Sequence, residues 1–485
     1  MGGSAIRSSE KIWESGAKEG ASGSAPSPVV SDSAGQLRRL KWTRRDSAII
    51  LVLLLLAGFL RFFQLSHPSG FVFDEIYYAR DACLYLGLGK KTCGIDQEQS
   101  HVHPQLGKWL IAAGIKAFGY NSLGWRVVAG LFGTMLVLIT YLLVRKLFWD
   151  RWIAGAAGFL VATDFLLILQ SRVGMLDIFL TTFVALGFAF LAVDRERILR
   201  LKEGSRESAI KRGYRWRFAA GAAFGLGVAI KWAAAWPLAG AGLLALFWSL
   251  SLARERRRRL RIAPEEADQL PRLGRELIVL ALSLGLVPVV IYVASYLQWF
   301  IQHNFDPRGF VELHERMVNF HLTLRARHPY ASRAWAWPVI LQPIAYWWTL
   351  GPKPNYILAF GNPATWWPAL VAGLWLLARS FRRWRGERVI GVGWATLYLP
   401  WLAVSRTLYF FYMTPVVPFM MAALALLLGD LRKLGRPGRL MVRAYLILGV
   451  GALVVYFYPL IVGTDGLGGL PINPPVREFT PRPTF

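Results

Sequence analysis

Long apolar blocks separated by short basic runs set the pattern of the chain. The first block, residues 47–65, is long enough to cross a hydrocarbon core of about 30 Å as a helix. Further blocks follow at 127–147, 152–169, 175–193, 218–229, 233–252, 277–297, 366–377, 389–404, 408–428 and 442–462, giving about eleven expected spans. The two shortest blocks, and an apolar stretch at 339–350 between Pro-rich segments, put an uncertainty of one or two on that total. Residues 109–118 are apolar but too short to span, and they predict an interfacial helix.

Composition sharpens this picture. Of the 485 residues, 55% are hydrophobic, mean hydropathy is +0.38, and the chain holds 21 Trp, 29 Phe and 17 Tyr. A soluble globular enzyme is excluded, and so is a disordered or fibrous chain, because the apolar residues come in uncharged blocks. The formal net charge of +27 would suit a nucleic-acid partner. However, Lys and Arg sit in runs between apolar blocks, as the positive-inside rule produces, so no nucleic acid is implied.

The basic runs also set sidedness. The cluster Arg38, Arg39, Lys41, Arg44 and Arg45, the segment 195–217, the run Arg254 to Arg259, the run Arg379 to Arg388 and the segment 432–443 fall on alternate loops. They place the N-terminus in the cytoplasm and, with an odd number of spans, the Pro-rich C-terminal tail outside. The expected organisation is a disordered cytoplasmic tail (1–45) with no signal peptide, a multi-pass domain (46–463) and an extracytoplasmic tail (464–485). Two long outer loops, about 66–124 and 298–365, are the expected functional ones.

Charges that sidedness does not explain are Asp74, Glu75, Arg80, Asp81, His101, His103, Lys108, Arg126, Asp164, Arg172, Asp177, Lys231 and Arg406. They are scattered in sequence but share one membrane depth, on outer loops or at outer ends of spans. Ionisable groups there are functional candidates. Two early acids with several cations and many aromatics suit chemistry on a lipid-linked anionic substrate, since arginine binds phosphate through a bidentate fork. The plainer alternative is structural ion pairing, such as Arg172 with Asp177, together with snorkelling cations. For Asp74 and Glu75 the plain alternative is a helix cap complementing the dipole.

His101 and His103 share a face in an extended segment, which leaves a zinc site open; the alternative is His103 with Pro104 shaping the loop floor. Cys83 and Cys93 lie ten residues apart in the first outer loop. They are either a disulfide clamp or two buried thiols.

Seven segments carry a family resemblance: FDEIYYARDA (73–82), HPQLGKWLI (103–111), GWRVVAG (124–130), SRVGMLDIFL (171–180), GVAIKWAAAWP (227–237), HPYASRAWAWP (328–338) and SRTLYFFYMTPVVPF (405–419). In this order they resemble the protein O-mannosyltransferase family, in particular a bacterial, actinobacterial-type member without the β-trefoil MIR domain. Gln105 departs from the more usual HPPLGK. The resemblance implies an all-α polytopic GT-C fold and an outward-facing site. Its implied activity is inverting transfer of mannose from polyprenyl-phosphate mannose to Ser or Thr of secreted proteins, with no metal and no cofactor. The resemblance places the catalytic carboxylate at Asp74 and points to Arg126 and Arg406 for the lipid phosphate.

Lipid phosphate is already a good leaving group, so fixed positive charge and one base suffice. Asp74 is the expected base. Glu75, about 100° further round a helical turn, is expected to position a cation or the acceptor backbone. Lys231, Lys108, His103 and Tyr78 join the donor-binding candidates. Arg172, Asp177, His328, Tyr330 and Trp335 are the acceptor or loop candidates; the last three also suit an interfacial belt. Membrane lipids are expected neighbours, and docking to the secretion translocon is left open. The rival functions are a related lipid-phosphate-sugar transferase that delivers arabinose or aminoarabinose to a glycan or lipid, a transporter, and a scaffold.

Overall fold

The computed structural model describes residues 42–202, 213–267, 270–325, 328–349, 355–382 and 386–463. Both expected tails lie outside the described residues, apart from residues 42–45. Helices dominate. In chain order they are α1 (Arg44–Phe62), α2 (Glu75–Tyr85), α3 (Lys90–Cys93), α4 (Leu106–Phe118), α5 (Ser122–Phe148), α6 (Arg151–Ala162), α7 (Phe165–Gln170) and α8 (Asp177–Lys202). Then come α9 (Arg215–Val228), α10 (Ala235–Ile262), α11 (Pro264–Ala267), α12 (Leu273–Leu280), α13 (Val287–Ala294), α14 (Leu297–Gln302) and α15 (Pro307–Thr323). After a short sheet follow α16 (Pro363–Arg382), α17 (Glu387–Leu402), α18 (Val417–Leu431), α19 (Arg436–Ala444) and α20 (Ala452–Val462).

By length and composition, five helical stretches can cross a membrane among the described residues: Ser122–Phe148, Asp177–Leu201, Trp232–Ile262, Leu273–Ala294 and Arg436–Val462. Large apolar side chains such as Leu51, Val52, Leu55, Val289, Val290, Leu374 and Leu448 stand exposed around the bundle. In water such a surface would be a liability; against acyl chains it is the favourable one.

Three expectations change. The block at 152–169 is two helices, because Asp164 accepts from Leu167 N (3.0 Å) and from Trp366 Nε1 (2.7 Å) and starts α7 afresh. The block at 408–428 becomes a helix only from Val417, after a 3₁₀ turn over Phe410–Met413. Pro415 and Pro418 fit a helix start and not its interior. The fold is also not purely helical: Ile344–Trp348 (β1) and Tyr356–Ala359 (β2) pair antiparallel within the second loop.

Close helix approach sets the first loop in place. A Cβ on Gly114 of α4 would lie 2.3 Å from Gly124 O of α5, so these two helices meet backbone to backbone. Two buried arginines then occupy helix ends whose carbonyls lack intrahelical partners. Arg61 donates to Val161 O and Ala162 O at the end of α6. Arg172 donates to the carbonyls of Leu60, Arg61, Phe63 and Gln64 at the end of α1.

Candidate active site

Asp74 sits at the N-terminal edge of α2, but its carboxylate caps no helix N–H. Among the described residues that carboxylate has neither a hydrogen bond nor an ion pair, while the backbone carbonyl accepts from Tyr77 N and Tyr78 N. The next residue, Glu75, does the opposite. Its two oxygens take Arg126 Nε and Nη2 (2.8 Å each), Val72 N (2.8 Å) and Gly174 N (2.7 Å). One acid is therefore locked into the fold and its neighbour is left free. The helical offset between them explains why they face different surroundings.

Arg126 completes the lock. Its remaining donors reach Leu65 O, Pro68 O and Gly70 O, so all five guanidinium N–H groups are used, and the side chain is 1% exposed. The expected contact with a donor phosphate does not fit this geometry. Lys108 is equally committed. It is fully buried against Glu98, with Ser100 O at 2.9 Å and Asp81 at 3.7 Å. Asp81 accepts from Gln99 N and Ser100 N at 2.8 Å. Cys83 and Cys93 are joined in a disulfide between α2 and α3. Together these groups hold the loop that carries Asp74.

Within electrostatic reach of Asp74, through Lys231, Asp177 and Tyr412, lies a cavity of about 570 Å³. Its polar wall carries His103, Asp177, Lys231, His321, Arg406 and Tyr412; its apolar wall includes Ala235, Trp236, Ala239 and Trp401. Lys231 pairs with Asp177 at 2.7 Å. The alternative pair of Arg172 with Asp177 does not form, since Arg172 is spent on the α1 carbonyls. Arg406 has no carboxylate partner among the described residues; it meets His321 Nδ1 and Tyr412 Oη, each at 3.3 Å.

Burial, offset by Lys231 and reinforced by Asp177, pushes the Asp74 carboxyl up from 3.8 to about 6. It remains mostly ionised at neutral pH yet poorly solvated, which is what a general base needs. His103 is held well below the ordinary imidazole value by burial and by Lys231, His321, Lys108 and Arg406, and is therefore neutral. Tyr78, one turn after Asp74, is buried with its ring 6.3 Å from that of His103.

The acceptor candidates divide. His328 packs its ring 5.3 Å from Tyr409, and the segment around it is tied to the extended segment before α18 by the Ala331–Tyr409 bridge and by Ser332 N to Leu408 O. Tyr409 in turn lies within electrostatic reach of Asp74 and Arg406. Tyr330 is buried in the same segment, whereas Trp335 is 60% exposed and does not line the cavity. Among the described residues, no group of three or more His, Cys, Asp or Glu is gathered for a metal. Sequence reasoning missed three residues. Tyr412 lies within a quoted motif. His321 stands seven residues after His314 on one helix face, which is a readable signal. Tyr346, stacked on Phe73 at 4.2 Å, lies in a strand that nothing in the pattern announced.

Residues 118–303 match the family described as dolichyl-phosphate-mannose-protein mannosyltransferase, and residues 307–469 match the C-terminal four-transmembrane region of protein O-mannosyltransferase. The polyprenol-phosphate-mannose–protein mannosyltransferase of Corynebacterium glutamicum is 32% identical, over 88% of this chain and 92% of its own. The chain belongs to the protein O-mannosyltransferase family.

The Mycobacterium tuberculosis protein of the same name is 30% identical over 93% of both chains. Among solved structures, the S. cerevisiae Pmt1–Pmt2 protein O-mannosyltransferase complex bound to the sugar donor aligns with a TM-score of 0.70 at 14% identity, covering 88% of this chain and 93% of that one. ArnT from Cupriavidus metallidurans bound to undecaprenyl phosphate aligns at 0.53 and 17% identity, covering 84% of this chain and 62% of that one. Both share the GT-C fold. As a protein O-mannosyltransferase family member the chain is a membrane-embedded glycosyltransferase, so the transporter and scaffold readings fall.

Proposed function

We propose that this protein transfers mannose from polyprenyl-phosphate mannose to Ser or Thr hydroxyls of secreted or membrane proteins, with inversion, at the outer face of the plasma membrane. The observation that carries the reading is a free, poorly solvated carboxylate, Asp74, within electrostatic reach of the cavity residues Lys231, Asp177 and Tyr412, together with Arg406, which lines that cavity and has no carboxylate partner among the described residues. The acceptor hydroxyl gives its proton to Asp74 as its oxygen attacks the anomeric carbon. The bond from that carbon to the phosphate oxygen breaks on the opposite face, and the lipid phosphate leaves with the electron pair. Arg406 meets the growing charge, and Lys231, already balanced by Asp177, adds field without presenting a second free cation. The step needs no metal or cofactor, because the phosphate is itself the leaving group.

Glu75, Arg126 and Lys108 are reassigned from chemistry to holding the Asp74 loop. His103 and Tyr78 are neutral hydrogen-bonding groups for the sugar. The apolar wall between α10 and α17 suits the polyprenyl tail. It ends where the two helices cross, since a Cβ on Gly240 would lie 2.6 Å from Thr396 Cγ2. The outward orientation draws support from α10: the cavity lies at its N-terminal end, and Arg254, Arg257 and Arg258 are toward the other, about 22–35 Å away at 1.5 Å per residue.

The test is an assay of purified protein with polyprenyl-phosphate mannose and a Ser/Thr-rich peptide, beside Asp74→Asn. Mannosylated peptide with wild type and a large loss with the variant is the expected result. A variant that glycosylates at the wild-type rate removes Asp74 from the mechanism, and transfer only to a glycan or lipid acceptor would favour the rival transferase.

A further inference from the structure

Buried arginines of this protein are spent inside the fold, Arg61 and Arg172 on backbone carbonyls at helix ends. Arg126 and Arg217 face carboxylates, with their charge balanced inside the fold. Arg406 instead borders the cavity and, among the described residues, is held by neutral acceptors, Tyr412 Oη and the imidazole of His321. Orientation by neutral groups leaves the full positive charge available to an incoming anion, whereas a carboxylate in either place would compete with it.

The imidazole is itself fixed. His321 Nε2 lies 2.9 Å from Val102 O, which can only accept, so Nε2 carries the proton and Nδ1 is left as the acceptor turned toward Arg406. Three elements meet at this ring: α15, the loop before α4 and the segment before α18. Helix α15 is seated by Leu313 and Met317, buried with Tyr296 and Trp299. His321 follows Met317 by one turn and projects from the same face. Trp232 closes one side with its ring 5.8 Å away.

We propose that His321 is a positioning residue, which aims the Arg406 guanidinium at the phosphate of the lipid-linked donor through a neutral Nδ1 acceptor set by Val102. The proposal rests on the donor class given above and adds a residue that acts on the phosphate only through another.

Trp232, Trp236 and Trp401 line the cavity. Quenching of intrinsic fluorescence on titration with polyprenyl phosphate therefore reads phosphate-lipid affinity without catalysis. His321→Asn keeps an acceptor near the Nδ1 position, and His321→Gln keeps a donor near the Nε2 position. The expected result on the full-length protein is that His321→Ala and His321→Gln weaken polyprenyl phosphate about tenfold while His321→Asn stays within about twofold of wild type. In turnover, the same two variants raise the donor KM and also lower kcat, because Arg406 meets charge that grows only as the phosphate leaves. In an Arg406→Ala background, His321→Ala adds no further loss, because there is no guanidinium left to aim.

Equal behaviour of the Asn and Gln variants, or an undiminished effect of His321→Ala without Arg406, overturns the proposal; the latter would put His321 on the phosphate itself. Should the Ala variant fold poorly, the contrast between Asn and Gln decides. Failure of the wild type to use polyprenyl-phosphate mannose in turnover would instead sink the functional reading, while the binding titration still tests His321.

Discussion

Replacing Asp74 by Asn should remove activity and at the same time make the protein harder to melt. The carboxyl is raised from 3.8 to about 6, mainly by burial. Each pKa unit corresponds to about 1.4 kcal/mol, so the ionised carboxylate weakens the folded state by at most about 3 kcal/mol, and by about 1–3 kcal/mol allowing for its partial exposure. The sign follows from proton counts. Between pH 4 and 6 the folded protein holds a proton that the unfolded chain has released, so stability falls as pH rises through that window. Above it the whole penalty is felt.

Asparagine is neutral throughout, so the variant gains at pH 7.5 and gains little at pH 4.5. For a chain of this size the gain at pH 7.5 is a rise in melting midpoint of about 1–3 °C. Transfer should fall by about 10²–10⁴-fold, the usual worth of a positioned base. Melts followed by intrinsic fluorescence in detergent at the two pH values, with the peptide assay alongside, test both halves. An Asn variant that melts at or below wild type at pH 7.5, or that differs from it equally at both pH values, would refute the burial argument. A helix-capping Asp74 would instead make Asn nearly neutral and Ala destabilising by about 1 kcal/mol.

Lys231→Met removes the cation that holds the Asp74 carboxyl down and leaves Asp177 without its partner, so the acid limb of kcat/KM should move above pH 6; a limb that stays in place would separate Lys231 from Asp74. Arg126→Ala leaves Glu75 buried without a cation and frees three loop carbonyls, a loss of about 3–5 kcal/mol read as a lower melting midpoint or failure to fold. A well-folded Arg126 variant with only a raised donor KM would restore its phosphate role. Reduction of the Cys83–Cys93 bridge closes off a loop constraint worth about 2–3 kcal/mol in the chain-entropy account. It should expose two labelable thiols and lower the midpoint; labelling of native protein without reductant would contradict the bridge.

The helical bundle was legible because apolar blocks are local patterns imposed by the bilayer. Where the pattern misled, a single side chain decided. Asp164 breaks a continuous apolar block by capping a new helix, and the prolines at 415 and 418 delay α18. The apolar stretch at 339–350 became part of a strand pair because its partner, Tyr356–Ala359, lies outside the window that shows hydrophobicity alone.

The sequence by itself determined the class of machine: a multi-pass membrane protein with a chain of motifs sufficient to name a family. Which of its charges is free was decided only by the tertiary structure. Glu75 and Asp74 are neighbours in sequence, as alike as two residues can be in charge. Folding gives one of them a guanidinium and two backbone donors and leaves the other without a hydrogen bond or ion pair to its carboxylate among the described residues. Arg126 and Arg406 divide in the same way, one enclosed by acceptors and one left with neutral partners. Availability of a charged group depends on what surrounds it within a few ångströms, and those surroundings come from segments far apart in the chain.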